Sequence, residues 1–191
     1  MFKRVGLFFC GLSMVAALTS CGEEELGGGI GEFTTVKASA SSSTGRLESD
    51  LVTGNTCAGG ASTGGALETD YVDVNFSSTA MFATGALDLV VSKITVHYTP
   101  ANASSPALPD YVNLTTQTIP PGSSVPIPVA VVPEFYKRDL ILRTTQNLAA
   151  CSGDIFEYSV RVTFEASEPG GNGKIKNITA DMQLAIADRN N

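Results

Sequence analysis

Tryptophan is absent and histidine occurs once, as His97. Aromatic residues make up 7% of the chain, which leaves few rings for stacking a sugar; Tyr71 and Tyr111 are the best exposed candidates. A single histidine excludes a site built from several imidazoles, and the four cysteines include no Cys-x-x-Cys pair, so a zinc site is not expected. Basic residues are in deficit: 12 Lys and Arg against 19 Asp and Glu, a formal charge of −7. Such a surface repels nucleic acid and anionic headgroups. No apolar run reaches the roughly 20 residues that cross a bilayer. No Gly-x-Ser-x-Gly elbow accompanies His97, and the Gly-rich stretch Gly54–Gly65 lacks the Gly-Lys-Ser/Thr ending of a phosphate loop. No catalytic residues and no metal site are therefore assigned.

The N-terminus is a patterned segment. Lys3 and Arg4 form a basic start, Val5 to Leu18 is apolar or small apart from Ser13, and small residues lead to Cys21. A short apolar stretch with a basic flank and a small-residue exit is a secretory leader. Leu18-Thr19-Ser20-Cys21 resembles the lipobox of bacterial lipoproteins. That resemblance implies cleavage before Cys21, a diacylglycerol on its thiol and a further acyl chain such as palmitate on its amine. Residues 1–20 are then a signal peptide and residues 21–32 the lipidated cysteine with a flexible, glycine- and glutamate-rich tether. Residues 33–191 are one domain. Lipid on Cys21 is the only attached group expected, and the membrane contact runs through it. Gly22 in place of aspartate implies, by the same resemblance, an outer membrane in the envelope of a cell that has one.

With Cys10 removed and Cys21 lipidated, Cys57 and Cys151 are left. In an oxidising compartment they pair as a disulfide; two buried free thiols are the alternative.

Alternation dominates the rest. Val72, Val74 and Phe76 alternate with Tyr71, Asp73 and Asn75, the period-two mark of a strand with one buried face. Between Leu87 and Tyr98 the apolar parity switches, which predicts a bulge at Ser92-Lys93. Phe156, Tyr158, Val160, Val162 and Phe164 form the cleanest stripe, and Ile178 to Ile186 alternate back after Pro169–Gly173, predicting an antiparallel hairpin. Further strands are expected at Phe33–Ala40, Leu47–Val52, Tyr111–Thr118 and Phe135–Leu142. Pro126 and Pro128 make Val125–Val132 an edge or an irregular strand. Gly54–Gly65 reads as a mobile loop around Cys57. No amphipathic helix is expected after the leader. Seven to nine strands with regular turns predict an all-β fold, an antiparallel β-sandwich. Ile119-Pro120-Pro121-Gly122-Ser123-Ser124-Val125-Pro126-Ile127-Pro128-Val129 resembles a strand entry of bacterial immunoglobulin-like and fibronectin-like domains, which implies that family of sandwiches.

Asp70, Asp73 and Asn75 offer oxygen ligands for calcium, although Asp73 and Asn75 also fit as the polar face of a strand. Asp154 and Glu157 invite the same remark. Three functions follow. The first is a non-enzymatic structural or interaction module of the envelope, with envelope proteins or other copies of itself as partners through the Val125–Val132 edge or the Phe33–Ala40 strand. The second is capture of a carbohydrate or calcium by loops at one end of the sandwich. A hydrolase is third.

Overall fold

A computed structural model of the chain describes residues 30–189. The leader, Cys21 and most of the tether lie outside the described residues. The strands are β1 (Gly31–Glu32), β2 (Val36–Ser42), β3 (Arg46–Asp50), β4 (Thr53–Ala58), β5 (Ala61–Ala66), β6 (Asp70–Ala80), β7 (Leu89–Pro100), β8 (Tyr111–Ile119), β9 (Ser124–Val132), β10 (Ile155–Ser167) and β11 (Lys176–Ala187). One helix, α1 (Glu134–Leu142), joins β9 to the β10 region. A four-stranded sheet runs β1-β2-β6-β9, and a five-stranded sheet runs β3-β11-β10-β7-β8.

The two sheets pack face to face as a β-sandwich. Alternation supplies the reason: each long strand turns one apolar side inward, so Val72, Val74 and Phe76 of β6 meet Val160, Val162 and Phe164 of β10 in one core. The rings of Phe76 and Phe164 cross edge-to-face with centroids 5.4 Å apart. The Tyr98 hydroxyl of β7 donates to the Val131 carbonyl of β9 at 2.7 Å, satisfying a buried polar group across the two sheets.

The predicted hairpin is present: β10 pairs antiparallel with β11 from Ile155↔Ala187 to Ala166↔Lys176. So is the predicted bulge, since the β7–β8 register shifts between Val91 and Lys93. Strand β9 lies at an edge. Its ladder with β6 pairs Pro126 with Asn75 and Pro128 with Asp73. Proline has no N–H to exchange, so these are non-hydrogen-bonded pairs whose missing donors face outward. At Pro120-Pro121-Gly122 the chain passes from the five-stranded sheet to the four-stranded one; Gly122 takes φ +73°, which a side chain would resist.

Four expectations are corrected. Eleven strands are described against the seven to nine expected: the four- and five-stranded sheets hold nine, and β4 and β5 form a separate pair. The glycine-rich stretch is a hairpin, β4–β5, paired from Thr53↔Ala66 to Ala58↔Ala61, because small residues and positive-φ glycines permit a ladder that buries almost nothing. Phe135–Leu142 is helical. Pro133 precedes its first turn, Arg138 and Arg143 reach Glu134 and Asp139 one turn back, and Tyr136, Lys137 and Leu140 form its buried face. Finally, the sandwich is not wholly antiparallel. Strand β3 pairs parallel with β11, from Gln183↔Arg46 to Ala187↔Asp50. These strands come from opposite ends of the domain, so no tight turn between them dictates their direction.

Candidate functional site

The outer face of the five-stranded sheet carries a groove of about 390 Å³ lined by His97 and Thr99 of β7, Ser159 and Arg161 of β10, and Asp181 and Gln183 of β11. Strand parity puts them there: each is the outward neighbour of a buried residue such as Val96, Tyr98, Val160 or Met182. The groups are largely engaged with one another. Arg161 Nε donates to Asp181 Oδ1 at 2.9 Å, and Gln183 Nε2 approaches Ser159 Oγ at 3.4 Å. His97 Nδ1 lies 2.7 Å from Asp110 Oδ1, and both side chains are about half exposed.

An acid beside the only histidine, with a serine in the same groove, has some of the parts of a hydrolytic triad. The surroundings do not complete it. His97 pairs with Arg161, while Ser159 faces Thr99, so serine and histidine are diagonal neighbours on an open sheet. Strand β10 is interior, between β7 and β11, and its amides are engaged in the two ladders instead of converging on an oxyanion.

The calcium candidates do not converge. Asp70 is turned to the helix: Lys137 Nζ sits 2.9 Å from its Oδ2, and the Ser49 hydroxyl donates to the same oxygen. Lys137 is fully buried and also donates to the Asp50 carbonyl at 2.6 Å. A carboxylate neutralised by a buried ammonium is a poor cation ligand, so Asp70 is engaged with Lys137 and Ser49 instead of joining Asp73 and Asn75 around an ion. Asp73 and Asn75 are exposed on the outer face of β6, opposite Pro128 and Pro126. Of the other acidic pair, Glu157 meets Arg46 at 3.1 Å. Tyr71 is 61% exposed, whereas Tyr111 rests against Phe135, ring centroids 6.1 Å apart.

Cys57 and Cys151 are joined as a disulfide with Cα atoms 5.7 Å apart. It ties the β4–β5 hairpin to the turn before β10. Asp188 stands beside it. Its carboxylate accepts from Asn55 Nδ2 at 3.0 and 3.1 Å and from the Cys151 amide, with Oδ2 3.6 Å from Cys57 Sγ. Among the described residues these three side chains form a compact group of possible metal ligands. With both sulfurs in the disulfide, only the carboxylate retains charge to offer a cation.

Another carboxylate fixes the entry to β2. Glu168 is buried after β10 and accepts from the Thr34 amide at 2.8 Å, the Thr35 amide at 3.0 Å and the Thr35 hydroxyl. Burial alone would push its pKa up, but the donors of Thr35 and Thr34 outweigh it and hold the carboxyl below its ordinary value.

The alternation that buries Val96 and Tyr98 turns His97 outward, but no local pattern in the sequence marks Asp110 as its partner, Asp188 at the disulfide or Lys137 in the core. The acid-to-base spacing of Glu134–Arg138 and Asp139–Arg143 was the available signal for α1. Among the described residues no helix is long and apolar enough to cross a membrane. No protein-family model matches the chain, and no curated protein matches it.

Proposed function

We propose that the protein is a non-enzymatic interaction module of the bacterial envelope, held to a membrane by lipid on Cys21. The observation that carries this reading is the engagement of the polar groups around His97. On the open sheet face Arg161 pairs with Asp181, Gln183 with Ser159, and His97 with Asp110 from the segment before β8. The resulting surface is solvent-facing and suited to contact with another macromolecule. The leader and lipobox supply the setting, and the short tether keeps the sandwich near the bilayer. The resemblance of Ile119–Val129 to immunoglobulin-like domains fits the same role.

The test is cross-linking in membranes of a bacterium expressing the full chain, beside a Cys21→Ala variant. Protein-to-protein links from the sandwich, and loss of membrane retention in the variant, are expected. Turnover of an ester, peptide or glycoside that disappears in His97→Ala would replace this reading with a hydrolase.

Capture of a carbohydrate is the second reading, favoured by the groove itself, whose hydroxyl, amide and guanidinium groups match sugar hydroxyls. It moves the ligand from the loops to the sheet face. A glycan panel that raises the melting temperature, with the rise lost in Gln183→Ala, would establish it.

A further inference from the structure

The four outer edges of the two packed sheets are not alike. Strand β1 has two residues. Strand β9 presents prolines where outward N–H groups would stand. Strand β3 reads Arg-Leu-Glu-Ser-Asp, with a charge at every second position. These are the devices by which sheets discourage further pairing. Strand β8, Tyr-Val-Asn-Leu-Thr-Thr-Gln-Thr-Ile, has no charge and no proline over nine residues and pairs with β7 alone. Its outward side chains Val112 and Leu114 are 49% and 77% exposed.

We infer that the first half of β8 is a self-pairing edge, whose partner is β8 of a second copy of this chain, antiparallel about a two-fold axis at Asn113. The bulge confines this to one half. Tyr111 to Leu114 pair regularly with Val96 to Lys93, whereas the ladder slips beyond Leu114. An axis at Asn113 sets Val112 opposite Leu114 of the partner copy, and Leu114 opposite that copy's Val112. Each exposed apolar side chain then covers the other across the strands. Asn113 falls opposite its own equivalent. The neighbouring acid, Asp110, runs toward the uncharged threonines that follow Leu114 in the partner copy, so the contact sets no like charges against each other in an acidic chain. Lys93, beside Leu114 on β7, is already neutralised by Glu165 at 2.7 Å. An isologous contact of this kind closes at two copies and joins two five-stranded sheets edge to edge.

The contact is small, and membrane confinement of both copies through Cys21 raises their effective concentration. In that respect the inference rests on the proposed anchor and narrows the interaction module to one partner.

The test is oxidative cross-linking of Asn113→Cys in the full chain, in membranes of expressing cells. The parent chain and Leu142→Cys, at a site 73% exposed on α1, serve as controls. Residues facing each other on antiparallel strands have Cα atoms about 4.5–5.5 Å apart, inside the reach of a disulfide. A linked dimer at least about tenfold above both controls, and reduced about tenfold by adding Leu114→Lys, is expected. Linkage no greater than in Leu142→Cys, linkage that survives Leu114→Lys, or capture of a different protein at position 113 would overturn the inference. Fractionation of the same cells scores the anchor separately. A membrane-bound chain that fails to link removes the dimer and leaves the anchor standing. Hydrogen exchange on the unmutated full chain gives an independent check: protection at Val112–Leu114 rises with protein concentration, and concentration-independent exchange there counts against the pairing.

Discussion

The ammonium of Lys137 lies 2.9 Å from Oδ2 of Asp70, and the lysine side chain has no exposed surface. This pair joins α1 to β6, and the bond from Lys137 to the Asp50 carbonyl adds β3. The only described helix is therefore docked through a buried charge.

Removing one partner of such a pair strands the other. Lys137→Ala is expected to cost about 3–5 kcal/mol, read as a lower denaturation midpoint in urea. Lys137→Met keeps the packing of the stem and should cost less when combined with Asp70→Asn than the two changes summed. Strict additivity would mean that the pair does not couple the elements.

Stability should fall in acid through Glu168. Its folded-state pKa is below the ordinary glutamate value of 4.5. The contribution is therefore fully present above that value and is lost as pH falls through the lower folded one. Glu168→Gln should flatten the acid limb of a stability-versus-pH curve, and an unchanged limb would exclude this carboxylate as its source.

The Cys57–Cys151 bridge spans a sequence separation of 94. Closing so long a loop in the unfolded chain stabilises by up to about 4–5 kcal/mol in the chain-entropy treatment. Reduction, or Cys57→Ser with Cys151→Ser, should lower the melting temperature. Equal stability with and without reductant would show that the hairpin it fastens contributes little.

Two buried tyrosines should respond oppositely to loss of their hydroxyls. Tyr98 donates to Val131, so Tyr98→Phe leaves a buried carbonyl without that donor and should cost about 1–2 kcal/mol. The Tyr158 hydroxyl is buried with no hydrogen-bond partner among the described residues, and burial raises its pKa. Tyr158→Phe should be neutral or slightly stabilising, by up to about 1 kcal/mol. Paired urea titrations of the two variants decide the order.

Where a property belongs to a single strand, the sequence is a sufficient guide. The parity switch between Val91 and Ile94 marks a bulge because one apolar face must stay inward. Pro126 and Pro128 mark an edge because they lack donors. The β10–β11 hairpin follows from two matched stripes around one glycine-rich turn. Helix α1 escaped because Lys137, buried through its pairing with Asp70, breaks the apolar rhythm that reveals a helical face. Once the amine is satisfied by a distant carboxylate, a charged residue can occupy a core position, and no local pattern records that.

Alternation and turn chemistry in the sequence therefore determined an all-β sandwich, the inward residues of its long strands and the β10–β11 turn, because these depend on residues a few positions apart. The tertiary structure alone decided that β3 runs parallel to β11, that Asp70 serves Lys137, that Asp110 meets His97 and Asp188 meets the disulfide, and that β8 is the edge left without charge or proline. Each depends on which distant segments become neighbours, a choice made by the packing of the whole chain.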